Sequence, residues 1–301
     1  MSFLQALLTN EYYIHLVILI CIYALLAQSF NLTFGLGKSF NLAHIASYAI
    51  GAYTTAILAV DQSRSPLPCM FWSLVLSGVF ALTIAIIAIR LSEDYFAIGT
   101  LAFSALITAL LVNWKSLTRG VLGIPGIPRP EFSFFESQTF YDNFNFLGLA
   151  ATVLIVVELL LLGIFSSPYA RALRAQAEFE QGALAIGHNA RVLRTISFVL
   201  ASAIAGLAGS LFAYYINYID PSSFSLTEMV FIITIVVLGR PGSFWGVNGA
   251  AAFLVLLPEP LRQFDLPPSI LGPMRQLIYA LILFGVVFLN RNKLWPRLRR
   301  I

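Results

Sequence analysis

Leu147-Gly-Leu-Ala-Ala-Thr-Val-Leu-Ile-Val-Val-Glu-Leu-Leu-Leu-Leu-Gly-Ile-Phe165 carries one ionisable side chain, Glu158, in a run long enough to cross a bilayer. A helix needs about 20 mostly apolar residues to span the hydrocarbon core. Working outward from this run, comparable blocks lie near 12–30, 40–60, 70–90, 95–113, 195–218, 226–239, 247–264 and 275–290, nine with the first. Of the 301 residues 59% are hydrophobic and 11% charged, with a mean hydropathy of +0.85. A soluble domain carries roughly a quarter charged residues to cover its surface. The chain is therefore expected to be an all-α, polytopic integral membrane protein, one transmembrane domain over 1–301 with about nine membrane helices. The 226–239 block is short, and the next runs into Pro258-Glu259-Pro260. Those prolines remove backbone donors and should kink or end that helix.

Charge gives the orientation. Met1 to Asn10 has no basic start and no small-residue cleavage site follows the first apolar block, so that block is read as a mature helix. Arg171, Arg174, Arg191 and Arg194 lie in the loop 166–194, and Arg291, Lys293, Arg297, Arg299 and Arg300 in the tail 291–301. Basic residues are retained on the cytoplasmic side. Loop and tail are accordingly expected inside and the N-terminus outside, with Lys38, Arg90 and Arg240 also inside. The net charge of +4 then records topology, and no nucleic-acid partner is expected. The external loop 114–146 holds Gly123-Ile-Pro-Gly-Ile-Pro-Arg-Pro130, then Glu131, Glu136 and Asp142. Pro and Gly at that density favour a fixed extended loop, either a bare connector or a docking surface.

Within the cytoplasmic loop, Ser166-Ser167-Pro168 reads as a helix start, a serine cap followed by proline in the first turn. Tyr169 to Asn189 is helical and mildly amphipathic, closed by Gly187. Glu178 and Glu180 argue against a helix lying on anionic lipid, which usually offers basic residues.

Several motifs tempt. Gly35-Leu-Gly37-Lys38-Ser39 looks like a phosphate-binding loop, but the first glycine of that motif would fall at Leu32, so the chain itself is not expected to hydrolyse ATP. Asn41, His44 and Tyr48 are spaced to share one helix face, with Thr55 further along. Polar groups in a bilayer need partners or water, so these residues either form an interhelical hydrogen-bond cluster or line a solute path. Glu158 has the same two readings, a pathway group or an internally hydrogen-bonded acid. Ser225-x-x-Glu228 reads as a capping box. Ala201, Ala205 and Gly209, beside Ser202, Gly206 and Ser210, form a small-residue ridge for close helix packing, within the chain or against a two-fold partner. His15, His44 and His188 are too scattered for a metal site, and Cys21 and Cys69 read as buried small hydrophobes. No cofactor is expected.

A family resemblance runs through these blocks. Arg171-Ala-Leu-Arg174-Ala, Glu178, Glu180, Ala183, Ala185 and Gly187-x-Asn189 resemble the cytoplasmic coupling segment of permeases of the branched-chain amino acid ABC transporter family. Asn31-x3-Gly35, Asn41-Leu-Ala-His44 with Ile50-Gly-Ala-Tyr53, Tyr95-Phe-Ala-Ile, Asp220-Pro221-x-Ser223 and Gly239-x2-Gly242-Ser-x-Trp245-Gly246 resemble further blocks of the same family, in order. The chain differs from the common pattern at Ala177, Phe179 and Leu184, where charged residues are usual, and at Lys38, Arg119, Arg240 and Pro241. The resemblance implies a non-enzymatic permease subunit of an ATP-driven importer in the plasma (inner) membrane. Its partners would be a second permease chain, two cytoplasmic ATPases and an external solute-binding protein. The coupling residues would be Arg171, Arg174, Glu178, Glu180, Ala183, Gly187 and Asn189, with Asn31, Asn41, His44, Tyr48 and Glu158 as pathway or helix-break candidates. The implied solute is a branched-chain amino acid, with urea and short amides as alternatives. An ion-driven secondary transporter would instead need several essential intramembrane ionisable groups, of which Glu158 is the firm candidate. A membrane enzyme would need a catalytic constellation that the sequence does not offer.

Overall fold

The computed structural model of the chain describes residues 11–88, 91, 93–130, 143–259 and 268–294. Among them each apolar block carries a helix. In chain order these are α1 (Glu11–Phe30, continued by π-helical Asn31–Leu36), α2 (His44–Val60), α3 (Pro66–Ala88), α4 (Glu93–Asn113) and α5 (Asn143–Ser166). After two short loop helices, α6 (Pro168–Glu178) and α7 (Glu180–Ala185), come α8 (Ala190–Ile216), α9 (Leu226–Leu238), α10 (Phe244–Leu256) and α11 (Pro268–Leu294). Six of them, α1, α3, α4, α5, α8 and α11, contain stretches long and apolar enough to cross a membrane, while α2, α9 and α10 are shorter apolar helices. The chain is an all-α, multi-pass membrane protein; its strand content among the described residues is one two-residue antiparallel pair, β1 (Ile124–Pro125) with β2 (Tyr218–Ile219). α10 stops at Leu256, well before residue 264, because Pro258 has no N–H to continue the ladder.

Burial separates an inner set of helices from an outer one. In their most apolar stretches α1 and α8 bury 67% and 72% of residues, against 17% for α5 and none for α11. Leu82, Ile86, Ile98, Leu159, Leu160 and Phe284 of the outer helices are exposed, as side chains facing lipid should be.

Lipid tails are as apolar as leucine, so helices in a membrane associate by close packing and by hydrogen bonds rather than by hydrophobic burial. The small-residue ridge of α8 meets this requirement inside the chain. A Cβ on Gly51 of α2 would overlap the Gly206 carbonyl oxygen, and one on Gly209 would overlap that of Tyr48. A Cβ on Gly206 would overlap the Ser77 hydroxyl of α3. Three backbones thus run in contact. Hydroxyls lock the cluster: Thr55 Oγ1 lies 2.6 Å from Ser73 Oγ and donates to Ser210 Oγ at 2.7 Å. Ser73 donates to the Gly51 carbonyl at 2.9 Å and Ser77 to that of Ser47 at 2.9 Å. Cys21 and Cys69 are buried free thiols.

At one end of the bundle, His15 Nδ1 and the Tyr215 hydroxyl are 2.5 Å apart, and Phe146 packs on the same tyrosine ring. The loop after α4 folds over this end. Arg129 sits over the Phe146 and Tyr215 rings at 6.0 and 5.9 Å and donates to Asn143 at 3.0 Å. Asn217, in the left-handed conformation that ends α8, donates to the Ile127 carbonyl at 2.7 Å. Residues 123–130 are free of helix, as their Gly-Pro content predicts, although a single helical turn, Lys115–Thr118, precedes them. Glu131, Glu136 and Asp142 lie outside the described residues, as do Arg90 and the tail residues Arg297, Arg299 and Arg300.

Candidate coupling and gating site

The opposite end is built from α6, α7, the π-helical end of α1 and the turn between α9 and α10. Ser167 caps α6 by accepting from the Ala170 N–H at 3.3 Å, and Pro168 occupies the first turn. The expected continuous helix from Tyr169 to Gly187 is instead two helices, broken at Phe179, whose φ is −151°. Gly182 explains the break in part: it weakens the helix and leaves room for the Phe179 ring, which a Cβ there would strike. Gly187, at φ +88°, ends the segment as predicted. Asn189 also has a structural duty. It is the N-cap of α8, accepting from the Arg191 and Val192 N–H groups at 3.1 and 3.3 Å, and satisfies donors that would otherwise be orphaned.

Arg171, Arg174, Glu178, Glu180, Gly187 and Asn189 are all exposed, and Ala183 is buried. Phe179, Leu184 and Ile186 add exposed apolar surface at the tip, at 63%, 53% and 71%. The elbow is held from α8. Arg194 donates to Glu180 at 2.8 Å, and the Gln176 carboxamide, oriented to satisfy its neighbours, accepts from Arg194 at 2.8 and 2.7 Å. The Tyr169 hydroxyl donates to the Leu193 carbonyl at 2.9 Å, and burial pushes its pKa up to about 12, so it remains a donor at any physiological pH.

From α6 a continuous set of contacts leads to the α9–α10 turn. Leu173 is fully buried, and a Cβ on Gly37 would touch it at 3.5 Å. Gly37 closes the π-helical turn that holds Asn31. Asn31 Nδ2 donates to Gln28 Oε1 at 3.1 Å and to the Ser243 carbonyl at 3.3 Å, and its Oδ1 accepts from the Gly242 N–H at 2.8 Å. Gln28 donates to the Phe244 carbonyl at 2.6 Å. Gly35 must be glycine, because a Cβ there would overlap both Asn31 Oδ1 and Gly242 N. The turn places Arg240 at φ +66°, an uncommon conformation for a residue with a side chain, and Gly242 at φ +83°, which glycine adopts freely. π-Helical turns recur at functional sites.

The other polar candidates lie elsewhere. Asn41 precedes α2 rather than sharing a helix face with His44 and Tyr48; its Oδ1 accepts from the Ala43 N–H at 2.9 Å, a turn-forming bond. His44 Nε2 lies 3.0 Å from Ser29 Oγ and 3.3 Å from the Leu26 carbonyl, beside the helix break. Tyr48 packs its ring on Phe212 and Phe224. Glu158 is held by Asn248 of α10 at 3.1 Å, remote in sequence from the other candidates. The expected capping box is absent. Ser225 stands at the N-cap of α9 without a side-chain bond, and Glu228 turns instead to the Tyr23 hydroxyl at 3.2 Å.

Residues 12–289 match the family model described as branched-chain amino acid transport system, permease component. The chain belongs to this family. The high-affinity branched-chain amino acid transport system permease protein LivM of Escherichia coli K12 is 32% identical over 264 residues, covering 81% of this chain and 62% of LivM. A probable branched-chain amino acid transport permease protein LivM of Methanocaldococcus jannaschii is 25% identical over 277 residues, covering 90% of this chain and 78% of the archaeal protein. The LivH permease protein of E. coli K12 is 27% identical over 237 residues, 74% of this chain and 76% of LivH. The chain thus spans less than two thirds of the bacterial LivM length. No solved structure matches it.

Proposed function

We propose that this chain is a permease subunit of an ATP-driven importer of branched-chain amino acids. It would work with a second permease chain, two cytoplasmic ATPases and an external solute-binding protein, with nine crossings, the N-terminus outside and the C-terminus in the cytoplasm. The observation that carries the proposal is the unbroken path from α6 through Leu173, Gly37 and Asn31 to the turn at Gly242. An ATPase pushing on α6 and α7 would move the π-helical end of α1, and with it the turn joining α9 and α10. Each of those two helices has 13 residues, about 20 Å of rise, less than the hydrocarbon thickness. A short hairpin pinned at its tip by Asn31 and Gln28 is a mechanically suitable gate. The exposed Phe179, Leu184 and Ile186 would give the ATPase an apolar contact, and Arg171, Arg174 and Glu178 add exposed charge on the same segment. The test is leucine uptake by proteoliposomes containing Gly187→Val or the double variant Glu178→Lys/Glu180→Lys. Uptake should be lost while the complex still assembles; normal uptake in both would refute coupling through this segment.

A further inference from the structure

A cavity of about 600 Å³ opens at the end of the fold that carries His15 and Tyr215, between α1, α9, α10 and α11. That volume falls within the range of about 300–1,000 Å³ usual for small-molecule sites. Part of its lining is apolar: Leu16, Leu19, Val230, Phe231 and Val255. The rest includes two acids and a guanidinium, Glu228, Glu259 and Arg275, with Tyr23 and Tyr279. Phe231 packs on the Tyr23 ring at 5.0 Å and on the Tyr279 ring at 4.6 Å, so apolar and polar parts share one aromatic scaffold. The charges of Arg275, Glu228 and Glu259 all act on the Tyr279 hydroxyl, and among the described residues no salt bridge joins Glu228 to Arg275. Glu228 is hydrogen-bonded by Tyr23 alone among described side chains, and Arg275 Nε is buried without a hydrogen-bond partner.

Charges of both signs lining one cavity of a membrane protein without a salt bridge between Glu228 and Arg275 are costly unless a ligand brings the complementary charges. We propose that the cavity is a receiving site for a free zwitterionic amino acid with a branched aliphatic side chain. Arg275 holds the α-carboxylate, Glu228 steadied by Tyr23 holds the α-ammonium, and the Leu16, Leu19, Val230, Phe231 and Val255 wall takes the side chain. Urea and short amides carry neither charge and gain nothing from this pair. The site rests on the import function proposed above and adds where the solute is first held after release from the binding protein.

The test uses the complete transporter in nanodiscs, irradiated with a diazirine analogue of leucine and mapped by mass spectrometry. Labels should fall on residues 12–23, 226–231 or 272–280 and be competed by leucine, but not by leucinamide or 4-methylpentanoate. In Arg275→Gln the labelling should fall at least tenfold in a complex that still assembles, with partial recovery in Arg275→Lys. In Glu228→Gln, 4-methylpentanoate should begin to compete. A wild-type complex that imports leucine but carries its labels elsewhere, or variants labelled like wild type, would overturn the site and leave the import function standing. A wild-type complex that takes up no leucine would overturn both.

Discussion

Replacing Asn31 with alanine removes the acceptor that holds the Gly242 N–H at 2.8 Å and the donor that reaches the Ser243 carbonyl at 3.3 Å. The Ser243 carbonyl keeps its own helix bond from the Val247 N–H at 3.4 Å, so the penalty falls on the Gly242 N–H and on the buried Gln28 Oε1, which also loses its partner. A donor or acceptor shut away from water without a partner costs about 1–3 kcal/mol, the lower end applying to the half-buried Gly242 N–H and the upper to Gln28. At about 2 kcal/mol the local opening of the α9–α10 turn rises roughly 30-fold, since 1.4 kcal/mol is a factor of ten. Hydrogen exchange of the assembled transporter reads this directly. Amides of residues 242–246 should exchange about 30-fold faster in Asn31→Ala, while the α2 and α8 amides around Gly51 and Gly206 stay protected. Asn31→Asp, which keeps the acceptor for Gly242 but turns its second oxygen toward the Gln28 Oε1 and Ser243 carbonyl acceptors, should recover only part of the protection. Unchanged exchange at the turn would refute the role assigned to Asn31. Acceleration spread over the whole chain would mean that the residue serves global stability instead.

Gly206→Ala should prevent assembly, because its Cβ would strike Ser77 and the Ser73 carbonyl, whereas Gly148→Ala meets nothing within 4 Å and should be silent by size-exclusion of the purified complex. Glu158→Gln can still pair with Asn248 and should transport like wild type; loss of uptake would favour an ion-coupled mechanism. Arg194→Gln removes the group that joins Gln176 to Glu180, and proteolysis near Phe179 should accelerate several-fold. Asp220 accepts from Ser222, Ser223 and the Ser223 N–H; burial raises its pKa, but those bonds outweigh it and hold it below the ordinary aspartate value. Its cap on the Pro221–Phe224 turn is therefore fully present above that ordinary value and lost only as pH falls further. Exchange at the turn should be flat from neutral pH down to about 5 after correction for intrinsic rates, and a rise within that window would contradict the assignment.

Local patterns in the sequence carried over to the fold where local physics decides. The spacing of Ala201, Ala205 and Gly209 announces a face that another backbone can approach, and α2 and α3 do approach it at Gly206 and Gly209. Ser167-Pro168 and Gly187 start and end the α6–α7 segment through their own dihedral and capping preferences. Glu228 was misread for the opposite reason. Ser-x-x-Glu is a local signature, and a tyrosine 205 positions away in α1 competes successfully for the carboxylate. The partnership of Asn31 with Gly242, 211 residues apart, leaves no local trace beyond the glycines themselves. Asn41 falls outside α2 because its side chain bonds the Ala43 N–H and forms the turn that precedes the helix. Gln176 and Arg275 look unremarkable in sequence; only the packing of α6 against α8 and of α11 against α9 gives them neighbours to act on.

The most direct test of the central claim is leucine uptake by proteoliposomes of the complex that co-purifies with this chain in mild detergent, measured with ATP inside and outside and with a protonophore present. The account predicts that ATPase subunits co-purify, that uptake requires ATP on the side where α6 and α7 lie, that the protonophore has no effect, and that Gly187→Val abolishes uptake. A chain that purifies alone and accumulates solute only with an ion gradient would contradict it.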